Sequence, residues 1–526
     1  MVKKIQKKSP KSEESFETNS KPEESFLTLG WRVTMGLDPR YWLSGKPKPG
    51  LQPLDELVRI PAHAIGSHTA IIAQSGSGKS FFLGRLIEEI ILQTKAQCLV
   101  LDPNADFRRV QRVESASLWE NAKYDAVERR GKLPHEASQE EFESRWSKVS
   151  IRIRTGIGAR DTDERLQLWW PSLSMTFLAE DLDPMLRTDL YHCHNFIKQY
   201  GFVFELKYSD SKKPRDFLKD ARKLFARLRN PDKEERKRIL ELEFNPNQII
   251  KEVTTRSDAS VQDEYVALNQ GVKIRRSDIE LRIGRFIESG LTVTDDVNPI
   301  VERFYFGKAR EYQSAGIIRT DLTGKSWDRS LLHRVDVVDL PSLPDASTRL
   351  LAIDAILTTK WNEARRAWSS ALEKKAEDDS RIPTFIVIDE AHNLIPNETK
   401  SKPAIALREQ FRTIVAEGRK YGLFLLLVSQ RPDKLDPLVL SECENKAIMR
   451  LGSASVLNIT RKMLGLEDLP PKLLEKCLEF ETGRVLLVGP WSSPSPQIMY
   501  SAARRTIEGG RNLRAKHWAS PQSELS

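Results

Sequence analysis

Residues 69–93 read "TAIIAQSGSGKSFFLGRLIEEIILQ". Thr69–Ala73 is a short, continuous apolar run, the pattern of a strand buried on both faces. Phe81–Leu92 reads as a helix. Between them, "AQSGSGKS" (73–80) supplies Gly76 and Gly78, which free the backbone so that successive N–H groups can turn inward around phosphate oxygens. The helix that follows aims its positive end at the same point. Lys79 brings a cation for the outer phosphates, and Ser80 a hydroxyl for Mg²⁺. The pattern is AxxxxGKS, a Walker A loop with Ala73 where glycine is usual. Ser75, Gly76, Ser77, Gly78, Lys79, Ser80 and Phe81 are therefore the candidate contacts for ATP.

Such a loop needs a second metal anchor, and "FIVIDEAHNL" (385–394) supplies one. An apolar strand runs into Asp389, placed to hold Mg²⁺ with Ser80, and Glu390, placed to polarise the attacking water. Two adjacent acids ending a buried strand are poorly explained by packing, because burying charge is costly. "LFLLLVSQRP" (423–432) ends a further strand with Ser429 and Gln430, and a glutamine there can contact the γ-phosphate or the lytic water. Just before it, in "AEGRKYG" (416–422), Arg419 and Lys420 close a helix that Gly422 can cap. A cation there is favourable at a helix C-terminus in any case. Its functional reading is an arginine finger that reaches the ATP of a neighbouring subunit.

Other buried-strand runs are "QCLVLD" (97–102), "RVDVVDL" (334–340), "KAIMRL" (446–451) and "RVLLVG" (484–489). Apolar strands alternating with helices imply an α/β fold with a mostly parallel sheet covered on both faces. The organisation expected is a disordered tail over 1–25, an arm or linker over 26–66, a core over 67–110 and 330–505, a mainly helical insertion over 111–329, and a basic tail over 506–526. Within the insertion, Leu218, Ala221, Leu224, Phe225 and Leu228 recur at helical spacing. Residues 207–238 are rich in Lys and Arg, partly offset by Asp and Glu, which is the pattern of a solvated helix face as much as of a nucleic-acid contact. Trp169, Trp170 and Trp491 read as packing residues.

Composition narrows the class. The 526 residues carry a net charge of +9, which permits a polyanionic partner without requiring one. Cys98, Cys193, Cys443 and Cys477 are far apart, with no CxxC pair, and read as buried reduced thiols. The apolar run Leu423–Val428 is far short of a membrane span, and the Lys/Ser/Glu-rich start has no leader-like core, so a cytoplasmic protein without membrane contact is expected.

The combination of "AQSGSGKS", "LVLDPNADF" (99–107), "FIVIDEAHNLIP" (385–396), "EGRKYGLFLLLVSQRP" (417–432) and "LDPLVLSECENKAIMRLGS" (435–453) resembles the HerA/FtsK superfamily of DNA-pumping ATPases, and HerA most closely. The match takes in roughly residues 55–110 and 330–505. The resemblance implies a RecA-like core in a hexameric ring around DNA, with ATP and Mg²⁺ between subunits. It also implies that Asp102 lies near the nucleotide and that the tail after 502 braces a neighbouring subunit. HerA proteins normally begin with a β-barrel that docks a nuclease. Only about 65 residues precede the loop strand here, so the barrel is missing or reduced to a strand or two. A motor that translocates along or unwinds DNA is the reading expected, working with a nuclease or other effector in DNA processing or antiphage defence. An oligomeric ATP-binding scaffold that controls an effector enzyme is the alternative. A secretion or conjugation coupling ATPase of the same superfamily fits less well, for want of a membrane anchor.

Overall fold

The computed structural model describes residues 25–32, 57–120, 132, 136–156, 164–170, 173–179, 182–208, 217–256, 265–267, 273–314, 318–319, 333–372, 379, 381–492 and 494–509. The expected disordered tail up to residue 24, residues 33–56 of the arm, 209–216 of the basic stretch and 510–526 of the C-terminal tail lie outside the described residues.

One 12-stranded sheet organises the chain. Its strands are β1 (Phe26–Arg32), β2 (Leu57–Pro61), β3 (Thr69–Ile72), β4 (Gln97–Asp102), β5 (Ile151–Thr155), β6 (Glu164–Arg165), β7 (Val335–Asp339), β8 (Thr384–Ile388), β9 (Leu423–Ser429), β10 (Asn445–Ile448), β11 (Arg484–Val488) and β12 (Gln497–Ser501). The spatial order is β2-β1-β12-β11-β10-β3-β9-β8-β4-β7-β5-β6. From β10 to β6 every neighbouring pair is parallel, and from β10 to β2 every pair is antiparallel. The parallel strands are the continuous apolar runs of the sequence, and β3, β4, β7 and β8 are buried at every position, as burial on both faces demands. Register aligns their C-terminal ends: Ser429 pairs with Ile72, Leu427 with Ile388, and Ile388 with Leu101. In an open parallel sheet the crevice beyond those ends is where ligands bind.

Two features of the sheet add to the expected organisation. The arm joins the sheet, with β1 pairing β12 and β2 pairing β1. The stretch expected to be a helical insertion also contributes strands, since β5 pairs in parallel with β7. Its sequence, "IRIRT", hides the strand by placing two arginines on one face. Arg152 Nη2 and Arg154 Nε bind the Asp336 carboxylate of β7 at 2.7 and 2.9 Å. Burial alone would raise the Asp336 carboxyl, but the two guanidiniums hold it down, at about 2.

Helix α1 (Lys79–Gln93) follows the glycine loop. Its inner face carries Phe82, Leu83, Leu86, Ile87 and Ile90 into a core shared with β3, β4, β8 and β9. Its remaining charged residues Arg85, Glu88 and Glu89 are also buried, because both ends of the described chain cross them. Glu89 accepts the Thr28 amide of β1 at 2.8 Å and pairs with Arg85 at 2.9 Å. After β12 the chain continues as an extended strap, Ala502–Ile507. Glu88 accepts the amides of Arg505 and Thr506 at 3.0 and 2.7 Å and the Thr506 hydroxyl at 2.8 Å. Gly84 lies where Arg504 crosses the helix, and a Cβ there would sit 2.2 Å from Arg504 Cδ. A mid-helix glycine costs about 1 kcal/mol against alanine, and this close approach is its reason. Residues 504–506 therefore lie on α1 of the same chain, and Ile507 and Gly509 donate to the carbonyls of Arg112 and Asp106 in the segment after β4.

The other described helices used below are α2 (Gln139–Trp146), α3 (Arg187–Tyr208), α4 (Phe217–Leu228), α5 (Lys233–Glu243), α6 (Pro246–Arg256), α7 (Arg276–Asp296), α8 (Pro299–Ser314), α9 (Ala346–Leu372), α10 (Lys402–Tyr421) and α11 (Ala454–Met463). Helices α3, α4, α7 and α8 and Phe244 after α5 meet in an aromatic cluster, with Phe286 ring centroids 4.4 Å from Phe244 and 5.6 Å from Phe204. Trp170 is fully buried against Tyr305, and Trp491 is buried too, so both are packing residues. No helix among the described residues is long and apolar enough to cross a membrane.

Glu88→Ala strands two backbone N–H groups and a hydroxyl in the interior, at about 1–3 kcal/mol each. A marked drop in the thermal unfolding midpoint is expected, with partial recovery in Glu88→Gln, which keeps an acceptor. An unchanged midpoint would show that the strap is not held by Glu88.

Candidate nucleotide-hydrolysis site

The loop 73–80 is shaped by two left-handed glycines, Gly76 at φ +72° and Gly78 at φ +91°. Its carbonyls are tied from behind. Thr482 Oγ1 donates to the Gly76 carbonyl at 3.1 Å, and the Gly483 amide to the Ser77 carbonyl at 2.9 Å. A loop whose carbonyls are turned backward presents amides on its other side, the form of an anion cradle. Ser75 and Gly76 are exposed, while Gly78, Ser80 and Phe81 are half-buried. Ser77 is buried, and its hydroxyl has no hydrogen-bond partner. Thr482 and Gly483 were not legible as site residues, because nothing in "ETGRV" signals that the turn reaches back across the sheet.

Lys79 projects from the first turn of α1 to the end of β8, where its ammonium lies 2.9 Å from Asp389 Oδ1 and 2.5 Å from Glu390 Oε1. Burial pulls the Lys79 pKa down, but the two carboxylates more than offset this and leave it above the usual lysine value. Asp389 is fully buried, and burial keeps its carboxyl above the usual range despite Lys79. Asn104 Nδ2 also donates to Asp389, at 3.2 Å. Glu390 takes a left-handed backbone, φ +46°, a conformation costing a non-glycine residue about 1–3 kcal/mol and concentrated at functional sites. The turn aims its side chain across the strand ends, where Gln430 Nε2 donates to Oε1. Its Oε2 is buried with no hydrogen-bond partner, and His392 Nδ1 stands 3.5 Å away. Gln430 can reach Glu390 because β9 lies between β3 and β8.

Two carboxylates against one ammonium leave the cluster one negative charge in excess. That surplus and the orphaned Glu390 Oε2 fit a divalent cation and an activated water, and the backward-tied loop fits phosphate. The residues present thus suit Mg²⁺–ATP.

Asp102 serves the turn that follows β4. Its carboxylate accepts the amides of Asn104 and Asp106, each at 3.2 Å, and of Phe107 at 2.8 Å, which fastens the loop after β4 instead of facing a ligand. Burial raises its carboxyl to about 7 against those hydrogen bonds. The acid that does reach the glycine loop is Asp106, whose Oδ2 accepts the Ser80 hydroxyl at 2.7 Å. Ala105, at φ +60°, makes the turn that brings it there. Asp106 lies within the same "LVLDPNADF" motif, and nothing in that motif distinguishes it from Asp102 as the residue facing inward.

Arg419 is not brought to this site. It ends α10, ahead of β9, whereas Gln430 follows β9, so about 20 Å of strand separates the two. Its guanidinium pairs with Glu444, and it is about half exposed, 52%.

A strand, a glycine loop with its lysine, and a helix, with an Asp–Glu pair ending a parallel strand two places away, define a P-loop nucleoside triphosphatase. Family models agree: that of the HerA helicase central domain matches residues 57–155, and that of the ATPase family associated with various cellular activities matches residues 345–451. Over the first of these stretches the chain is similar to HerA helicases, and over the second to ATPases. It is 31% identical over 172 residues to the DNA double-strand break repair helicase HerA of Sulfolobus acidocaldarius, covering 32% of each chain. It is 27% identical over 241 residues to the probable helicase MJ1565 of Methanocaldococcus jannaschii, covering 43% of this chain and 45% of that one. It thus spans less than half the length of these relatives. Among solved structures it is similar to VirB4 of Thermoanaerobacter pseudethanolicus, with a TM-score of 0.40 and 12% identity over 95% of this chain and 99% of that one.

Asp102→Ala should lower stability by about 3 kcal/mol or more, because it frees three buried amides. A carboxyl raised from its unfolded value near 3.8 to about 7 contributes stability that is full below pH 4 and lost as pH rises through 7. The deficit of Asp102→Ala should therefore narrow between pH 5 and pH 8 in thermal melts. A variant that lost ATP affinity with an unchanged melting profile would instead make Asp102 a nucleotide contact.

Proposed function

We propose that the chain is a ring-forming ATPase that uses hydrolysis to translocate along or unwind DNA. The observation that carries this is the convergence of Lys79, Asp389, Glu390 and Gln430 on the aligned ends of β3, β8 and β9. Bound Mg²⁺–ATP would supply the phosphoanhydride to be cleaved and a cation to neutralise it. The loop amides of Ser75–Ser80 and the start of α1, with Phe81, would hold the phosphates, and Lys79 would exchange its carboxylates for the outer phosphate oxygens. Ser80 and Asp389 would hold the metal, with Asp106 fixing the Ser80 hydroxyl. Glu390 would orient the attacking water and take up its proton, and Gln430 would link Glu390 to the γ-phosphate.

Arg419 lies too far from its own loop to serve it, which favours its action on a neighbouring subunit and hence a ring, hexameric by analogy with the resemblance. DNA as the substrate is supported by the names of the relatives and by the positive balance of the chain. A nuclease or other effector, in DNA processing or antiphage defence, is the partner we expect, in the cytoplasm.

Purified protein should hydrolyse ATP, faster with duplex DNA, and Lys79→Ala should abolish turnover. No turnover with or without DNA, and no effect of Lys79→Ala, would sink the proposal. Glu390→Gln should retain ATP binding and lose at least about 100-fold in rate, the scale of a positioned base. Near wild-type turnover would move that role elsewhere. Arg419→Ala should leave nucleotide affinity and assembly mass intact and lower turnover by about 10³-fold or more. Weakened ATP binding in an isolated monomer would contradict a trans role.

A further inference from the structure

Helices α4 and α8 meet through Phe225 and Phe306, whose rings lie 6.0 Å apart, and a groove of about 530 Å³ opens along their junction. Lys219, Arg222 and Lys223 line it from α4 and Arg310 from α8. On α4 the spacing i, i+3, i+4 puts all three cations on one face. Ala226, one turn on, is small enough to leave the groove open, and Phe306 forms part of the floor. None of the lining residues is acidic. Among the described residues, Asp220 lies 3.8 Å from the Lys223 ammonium, and Glu311 pairs with Lys308 at 3.6 Å. Lys223 keeps 67% of its side chain exposed, so the Asp220 pair holds it only loosely.

We propose that this groove is a docking site for the phosphodiester backbone of a nucleic acid, on elements that carry none of the nucleotide-site residues. Four cations lining one groove favour an occupant with several regularly spaced negative charges, which binds them while releasing its own counterions. The volume is much larger than a single phosphate requires. The walls are helix side chains without a sheet edge, so they offer an acidic polypeptide no backbone pairing. They grip charge without regard to register, as sequence-independent phosphate contacts do. The inference rests on the DNA-handling reading above and adds a second point of contact, within the helical segment.

The test is fluorescence anisotropy of the full chain with labelled single-stranded and duplex DNA over a salt series, for wild type and the triple variant Lys219→Glu, Arg222→Glu, Arg310→Glu. The variant should lose at least about tenfold in affinity, and its salt slope should fall by about three, one for each phosphate contact removed. The milder triple variant with Gln at the same positions should move the same way by a smaller amount. DNA-free ATP turnover should equal wild type in both, which establishes that they fold. Equal affinity and slope in wild type and variants would overturn the groove as a DNA site and leave the DNA motor standing. No DNA binding by wild type would overturn both. Tighter wild-type binding of poly-glutamate than of DNA would replace the nucleic acid with an acidic protein.

Discussion

Asp389 and Glu390 share one lysine at the buried end of a strand, and most of the architecture follows from making that arrangement tolerable. Two adjacent carboxylates out of water are strongly unfavourable unless charge and hydrogen bonds meet them. Lys79 supplies the charge and comes from a different strand–loop–helix unit, so β3 and β8 must end on the same edge with matched register. The parallel sheet delivers this, because each strand enters from the same side and Ile388, Leu427 and the β3–β9 pairing fix the ends in line. Placing β9 between them adds Gln430 to the same cluster. The arrangement is also poised for exchange. Phosphate and a divalent cation offer the lysine and the acids replacement partners of the right sign, so the desolvation of these three groups is already met before nucleotide arrives.

The central strands and the glycine loop were legible in the sequence because each is a local pattern: an apolar run, a spacing of glycines, an acidic pair after hydrophobics. What escaped was non-local or disguised by charge. Strand β5 alternates arginine with isoleucine, and only the Asp336 of β7 makes that alternation a buried face. Glu88 looks like an ordinary helix-surface residue until the strap lies over it. Asp102 and Asp106 occupy one short motif, and which of them faces the loop is settled by backbone hydrogen bonds that no spacing reveals. Tertiary partners decided each case, and a charged residue announces its partner far less clearly than an apolar one announces the core.

Helix α1 links these observations. One face joins the sheet core, and the other holds both ends of the described chain through Arg85, Glu88 and Glu89. The strap then reaches the site itself. Arg504 Nη2 donates to the Asp106 carbonyl at 3.1 Å, its guanidinium lies 4.6 Å from the Phe107 ring centroid, and Asp106 in turn holds the Ser80 hydroxyl. A contiguous path of buried contacts therefore joins the C-terminal segment to the glycine loop. Displacing the strap would free Asp106 and, through it, the hydroxyl proposed to hold the metal, so the geometry of the loop is tied to a segment distant in sequence, through a contact that spans 398 residues.

The polarity of the sheet gives the proposed role of Arg419 its physical content. Every parallel strand points its C-terminal end at the nucleotide site, so a residue preceding β9 must lie at the opposite edge. No side-chain rotation closes about 20 Å. In a head-to-tail ring each interface joins two different surfaces of the protomer, one edge of a subunit meeting the opposite edge of the next. The separation that denies Arg419 its own ATP is the one such an interface requires. Glu444 has a place in this scheme. It accepts the Ser67 hydroxyl at 2.7 Å and pairs with Arg419, so the guanidinium is neutralised and oriented at the surface within the single chain. A partly exposed pair of this kind is worth little, about 0–1 kcal/mol, and a neighbour's developing phosphate charge can outcompete it at small cost.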